Sequence, residues 1–580
     1  MKKQLIALAF CVLPMMCFAQ QKSVTVLQVP GRNEFAKINE QGISVLPSGR
    51  FLRPAGNLIR ITNDPFGLAI SPDGKQAVTL HNGVFTIIDL GSLAPIRVPE
   101  YNQTINSPLT HSPVGGNEPT QALSHKKITS ALTKGSFLGV AFAADSKTVY
   151  LSGGDNGAVI VYDIINFKRL DSISLNGKVN GEDFDDSFTA DLLLNNDELF
   201  ILDRGNFRLV RYDLVGKKIT ASIPSGRQPF GLALSADKQT AFVANVGTYA
   251  YPLVEGMDSS NYNSMMINHH PYGDNTKESI EGTVIDEKKI PGLGSPNSPE
   301  AMSVFSINLK TNKVIDKFKT GYQIGEMVED AEVVGGASPN SIAVGTKYIY
   351  VTNATNDNIA VIDYKNHKIL SHIPIKVDAR IDKYRGLLPF GITISKDEKT
   401  LYVALLGFNA IAVIDVKTKT TKGIIPSGWG PARVKLSADE KEMYVISCRG
   451  LGAGPNGGAN FVAPPQGTYI GDIQLGSFQK IAMPNVKELA AYTKQVIGNT
   501  FESLTIKEDV TNPLPALPGL RESPIKYVVY ITKENRTYDE VFGQLKNANG
   551  DSTLARFGVN CEYTLPDSLR AVNKDLKVTP

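Results

Sequence analysis

The residues whose types and spacing could do chemistry stand late in the chain. There the run Ile525-Lys526-Tyr527-Val528-Val529-Tyr530-Ile531-Thr532 is followed at once by Lys533-Glu534-Asn535-Arg536-Thr537-Tyr538-Asp539-Glu540. So nearly continuous an apolar run reads as a strand buried on both faces of a parallel sheet. In open α/β sheets, ligand sites gather just beyond the carboxyl ends of such strands, which is where Glu534 and Asn535 fall. A carboxylate beside an amide carbonyl offers hard oxygen donors to a divalent metal ion. In phosphoester hydrolysis such an ion offsets developing charge and activates an oxygen nucleophile. The stretch has an ordinary reading too: Thr537 with Glu540 three positions on is the pattern of a capping box, which is plain strand-to-helix punctuation.

Other candidates carry less. Adjacent residues of an extended chain point in opposite directions, so His269-His270 reads as a solvated loop pair better than as a metal clamp. The glycine-rich stretch Arg449–Gly458 lacks the Gly-Lys-Ser/Thr ending and the strand-to-helix context of a phosphate cradle. Of four cysteines, Cys11 and Cys17 lie in the N-terminal apolar segment. A bridge between the remaining Cys448 and Cys561 is allowed in an oxidising compartment, but their spacing does not establish one, and two unpaired thiols is the simpler reading. No Cys-x-x-Cys-His attaches a haem, which disfavours haem redox chemistry.

The elements that must position these residues begin with an address. Lys2-Lys3, the apolar stretch Leu5–Phe18 and Ala19 before polar Gln20 form a secretory signal peptide over residues 1–19, with a soluble exported product in the periplasm or outside the cell. The apolar stretch is too short to span a bilayer, and no other segment is long enough. Sixty Lys and Arg against 57 Asp and Glu leave +3 on 580 residues, too weak a field to hold nucleic acid by counterion release. Many glycines and prolines (51 and 33) beside one tryptophan suggest short strands joined by tight turns.

Those strands recur. Pro65-Phe66-Gly67-Leu68-Ala69-Ile70-Ser71-Pro72-Asp73 is echoed from Pro229 and from Pro389, with looser copies at Phe137, Thr189, Pro339 and Pro431. A second apolar run usually follows, such as Tyr350-Val351-Thr352-Asn353, and a third often ends in aspartate, as at Asp89, Asp163, Asp213, Asp363 and Asp415. Each unit is a small sheet that cannot bury both of its faces alone, and radial stacking buries them in a β-propeller whose blades repeat every ~40 to 50 residues. With its Pro-x-Gly-x-x-x-Ser-x-Asp opening, the Tyr-Val-Thr-Asn unit resembles the YVTN family of bacterial seven-bladed propellers. Whether residues 24–60 complete a blade or add an eighth is left open by the repeats.

After Pro484 the texture changes. Val486, Leu489, Ala490, Thr493 and Val496-Ile497 share one face at helical spacing, and the proline-rich stretch Asn512–Gly519 reads as an extended linker. The segment Leu46-Pro47-Ser48-Gly49-Arg50-Phe51-Leu52-Arg53-Pro54 resembles the start of propellers fused to a phosphatase-like domain. Glu-Asn-Arg-Thr-Tyr-Asp-x-x-Phe-Gly resembles the first motif of the bacterial phosphoesterase family that holds phospholipase C and an acid phosphatase, within the alkaline phosphatase superfamily. That resemblance implies Glu534 and Asn535 as ligands of an active-site divalent metal. It also implies several hundred further residues with a Ser or Thr nucleophile and the remaining ligands. The chain as given is therefore expected to be catalytically incomplete.

The expected fold is mainly β: a seven-bladed propeller over 43–484, with insertions near 101–130, 250–300 and 449–467. A helix and linker follow over 485–524, then the first strand-helix segment of an α/β phosphatase-like domain over 525–580. The expected function is hydrolysis of a phosphoester substrate by the complete, metal-loaded protein. The alternative is a non-enzymatic periplasmic or cell-surface propeller that binds a protein, a glycan or a small ligand.

Overall fold

The computed structural model describes residues 23–98, 135–252, 254–257, 261, 276–285, 287–452, 474–509, 511–517, 520–532, 538–547, 550 and 552. Residues Leu27–Ser503 form one compact unit, and Met1–Val26 with Leu504–Pro580 form a second.

In the larger unit the repeats fold into seven four-stranded antiparallel sheets. Their innermost strands are Gly67–Ile70, Val140–Phe142, Thr189–Asn195, Pro229–Leu234, Pro339–Val344, Pro389–Ile394 and Pro431–Leu436, which define blades 1 to 7. Each innermost strand neighbours the next, and that of blade 7 returns to blade 1, so the sheets close into a propeller. The open question of the eighth blade is resolved by pairing. Asn57–Ile61 is the outermost strand of blade 7, with Gly476 opposite Ile61 and Lys480 opposite Asn57.

Local chemistry explains the motifs. Ser71 Oγ donates to Asp73 Oδ1 (2.6 Å) and accepts the Gln76 N–H (2.9 Å), while Asp73 Oδ1 accepts the Lys75 N–H (3.1 Å). The same closure joins Ser235 to Asp237, Ser395 to Asp397 and Ser437 to Asp439. Aspartates ending the third strands do the matching work on the next turn: Asp89 accepts from Gly91 and Ser92, and Asp415 from Thr418. These side chains satisfy the turn's backbone N–H groups, so a few residues suffice to reverse the chain.

The conserved spacing of Pro-Phe-Gly has a different cause. A Cβ placed at Gly67, Gly139, Gly231 or Gly391 would lie 2.6, 2.5, 2.1 or 2.5 Å from a carbonyl oxygen of the following blade, at Leu138, Ala190, Asn340 or Ala432 respectively. Glycine here permits close approach of neighbouring blades rather than an unusual φ.

Because strands alternate in direction, the connections between second and third strands and between blades lie on one face of the ring. The described ends of the connections 246–302 and 448–475 are there, as are the blade 2–3 connection with its hairpin Gly177–Val179/Glu182–Phe184 and the blade 4–5 connection with Met327–Val328/Ala331–Glu332. The opposite face carries short turns, four of them closed by a Ser/Asp pair. The expected insertion 101–130 and most of the glycine-rich loop lie outside the described residues, as do the signal segment and Cys561.

The helix expected after Pro484 spans Val486–Thr500 and packs on the outer strand Thr420–Pro426 of blade 6. Asn485 and Glu488 form its capping box. Leu489 and Thr493 press on Gly423, and Thr493 Oγ1 accepts the Ile424 N–H (3.0 Å). Val486 departs from expectation: it is 88% exposed, because the first turn precedes the contact with the blade, and Tyr492 packs inward instead.

In the second unit two expectations change. The proline-rich stretch is not extended, because Arg521 draws it into a loop by donating to the carbonyls of Pro513 and Leu514 while also pairing with Glu508. No strand forms over 525–532, where no sheet ladder pairs with the backbone among the described residues, and Tyr527, Val528, Val529, Tyr530 and Ile531 are 77–89% exposed. The short helix Tyr538–Phe542 begins soon after.

Two measurements test this packing. Gly231→Ala should cost about 2–3 kcal/mol in denaturant unfolding through collision with Asn340, whereas Gly74→Ala, at φ 70° but with open space around it, should cost about 1 kcal/mol. His81 is fully buried; its Nδ1 donates to the Asn63 carbonyl (2.9 Å), leaving Nε2 to accept from Thr79 (2.9 Å) and Thr86 (3.2 Å). Burial lowers its pKa to about 4, aided by the Arg97 charge and opposed by the Asn63 bond. The unfolded imidazole takes a proton near 6.5 and the folded one only near 4, so stability is whole above pH 6.5 and falls between 6.5 and 4. Calorimetry should find roughly 3 kcal/mol of this loss missing in His81→Gln.

Candidate functional site

The face with the long connections holds a cleft of about 480 Å³ over blades 5 and 6. Its walls come from the second-to-third-strand loops at Asn356–Asn358 and Gly407–Phe408, the connection 375–388, the helix end at Thr500–Phe501, and Arg50. Arg50 arrives on the hairpin Ser44–Val45/Phe51–Leu52, which is anchored by burial of Leu46 and Leu52 against Leu451.

The cleft's frame is electrostatic. Asp357 has a left-handed φ of 49°, which swings its buried carboxylate under the connection to blade 6. Oδ2 accepts the N–H groups of Gly386 (2.7 Å) and Leu387 (3.1 Å), and Oδ1 that of Leu388 (2.9 Å). Burial pushes its pKa up, and the three N–H donors oppose the rise. The Arg50 guanidinium lies 5.5 Å from the Phe408 ring, and its Nη1 donates to the Gly407 carbonyl (3.0 Å). Its Nε is buried without a partner among the described residues, and burial lowers its pKa. Arg385 pairs with Glu329 at 2.9 Å, Lys376 donates to the Asp382 carbonyl, and Tyr384 stands 71% exposed at the rim.

Three cations, Arg50, Lys376 and Arg385, thus face three carboxylates, Glu329, Asp357 and Asp382, among the rings of Tyr322, Tyr384, Phe408 and Phe501. Paired charges and aromatic faces suit recognition of a polar ring-bearing ligand. Among the described residues no His, Cys or Ser lines the cleft.

Comparison with known proteins adds little to this. No family model matches the chain, and no curated protein does. Among solved structures, it is similar to a chain of Kuenenia stuttgartiensis hydrazine synthase at 13% identity and a TM-score of 0.41, covering 67% of this chain and 93% of that one. A chain in the mitotic checkpoint complex matches at 9% identity and a TM-score of 0.43, over 78% and 96% of the two chains. A functionally unknown protein from Desulfotomaculum acetoxidans matches at 14% and 0.32, over 50% and 70%. The seven-bladed fold rests on the strand pairing above and not on these likenesses.

Of the residues singled out in the sequence, Glu534, Asn535, His269 and His270 lie outside the described residues. Cys448 is buried and forms no bridge among the described residues, and burial raises its pKa. Among the described residues no three His, Cys, Asp or Glu side chains gather to hold a metal, and no helix is long and apolar enough to cross a membrane. Sequence reasoning quoted Arg50 inside a motif and gave it no role, and it missed Asp357. An aspartate where Asn-Asp-Asn invites a left-handed turn was the only available sign.

Asp357→Asn keeps the left-handed preference but turns an NH2 group toward backbone donors. It should cost about 2 kcal/mol in unfolding and speed hydrogen exchange at Gly386–Leu388.

Proposed function

We propose that the chain is the exported propeller and first catalytic segment of a metal-dependent phosphoesterase, in which Glu534 and Asn535 supply two oxygen ligands to a divalent ion. The observation that carries the reading is an order: an apolar run with no sheet partner among the described residues, the acidic-amide pair, then a helix from Tyr538. Residues such as Tyr527, Val529 and Ile531 gain stability only when a sheet covers them, which fits a strand that belongs to a larger α/β layer. The donor chemistry suits a hard cation, whose role when bound would be to offset phosphoryl charge. Two oxygens do not complete a coordination shell, so the remaining ligands and the nucleophile belong to other parts of the complete protein.

One observation favours a second reading, a propeller that only binds. The long connections are confined to one face and the compact unit Leu27–Ser503 is closed on itself, an arrangement that serves recognition without any chemistry.

Hydrolysis of phosphomonoesters and phosphodiesters by the complete protein, lost on chelation and restored by a divalent metal, is the expected result. Glu534→Ala should reduce kcat/KM by at least roughly a hundredfold with unchanged unfolding. Full activity in that variant would remove Glu534 from the ligand set. A complete protein with no hydrolysis at all, but with ligand binding retained by residues 27–503, would favour the binder.

A further inference from the structure

The centre of the ring is a blind channel with unbalanced charge. At the long-loop face it is plugged by Phe66, Phe137, Phe230 and Phe390, whose rings touch in a closed circuit at 6.2, 6.0, 5.7 and 6.0 Å. The next layer is the one in which four blades carry the close-approach glycine, and the other three put Asp191, Ser341 and Arg433 at that position. Arg433 sits beneath the plug, 5.8 Å from the Phe390 ring. Its Nε donates to the Phe66 carbonyl (3.2 Å) and its Nη1 crosses to Ser341 Oγ (2.6 Å), which leaves Nη2 without a partner among the described residues. Asp191 accepts the backbone N–H groups of Leu192 (3.0 Å) and Leu232 (3.1 Å).

Two residues further along the same strand, about 6–7 Å from Arg433, comes Lys435. It makes no hydrogen bond or ion pair among the described residues, and the surface it exposes faces the channel. Enclosure and the neighbouring Arg433 hold its pKa below the usual lysine range, and burial likewise raises that of Asp191 despite Arg433. Two cations and one carboxylate around a cavity of about 110 Å³ leave one positive charge in excess. Lys435 is exposed to the channel and Arg433 half-buried, and an anion accepting hydrogen bonds from both cations balances the excess charge.

From this geometry we propose that the channel binds a small tetrahedral oxyanion, phosphate or sulfate, between Arg433 and Lys435, admitted from the short-turn face. The cavity has room for such an ion with a water or two and none for a nucleotide. This site is independent of the phosphoesterase reading and stands or falls without it.

The full chain is titrated with sodium phosphate, sodium sulfate and sodium acetate at ionic strength matched with sodium chloride, and followed by thermal unfolding and calorimetry. A saturable rise in Tm with phosphate or sulfate is expected, since a ligand of the folded state stabilises by mass action. Acetate separates a tetrahedral site from a general carboxylate site. Lys435→Met, which keeps the apolar stem, should weaken binding by roughly tenfold or more, and Asp191→Asn, which removes the competing charge, should tighten it severalfold. Non-saturating stabilisation, equal in the wild type and Lys435→Met, is the general effect of excluded salts and would overturn the proposal. So would the absence of any rise, or acetate binding as tightly as the tetrahedral ions.

Discussion

Every feature of the larger unit depends on one pairing, in which Asn57–Ile61 lies against Gly476–Ala482. A four-stranded sheet has two apolar faces and no means of covering either, so each blade is stable only between two others. Ring closure supplies the missing neighbours all at once. Because the closing strand comes from one end of the propeller sequence and its three partners from the other, the first and last blades are locked together. The cores reflect this: Leu68 and Ala77 of the first repeat pack in one cluster with Tyr444, Ile446 and Phe478 of the last and with Ile61 of the closing strand.

Close approach at the axis then divides the labour between two faces. Glycine at the positions of Gly67 and Gly231 lets adjacent blades abut, and where a blade lacks it a polar side chain staples the neighbours, as Asp191 does to Leu232 and Arg433 to Phe66. On the short-turn face the Ser/Asp pairs satisfy the backbone locally and leave no room for variation. On the other face the chain is free to elaborate, but only where buried polar groups are met. Arg208 and Asp203 illustrate the requirement: their ion pair (2.8 Å) is fully buried, and the Leu175 carbonyl and Ser187 hydroxyl take up the remaining bonds. The cleft at Arg50 and Asp357 is built on the same face by the same means.

Much of the propeller could be read in advance because its determinants are local and repeated. The three close copies of Pro-Phe-Gly and the aspartates that end third strands each encode one turn or one contact, and seven repetitions make the pattern plain. The helix at Val486 was equally readable from its capping residues, apart from which side chains of its first turn reach the blade. The second unit was not. An apolar run such as Ile525–Ile531 states a need for a sheet but not its source, and the coiling of the proline-rich stretch around Arg521 depends on a partner, Glu508, that no periodicity announces.

By itself, then, the sequence determined the class of fold and seven copies of the repeat with their short turns, since these follow from residues within a few positions of one another. It also put hard oxygen donors at Glu534 and Asn535. Tertiary structure alone decided that residues before Pro65 complete the seventh blade, that the long connections share one face, and that Arg433 and Lys435 look into a channel plugged by phenylalanines from four other blades. Those outcomes join residues hundreds of positions apart through burial and charge, and such contacts leave no mark in the spacing of the chain.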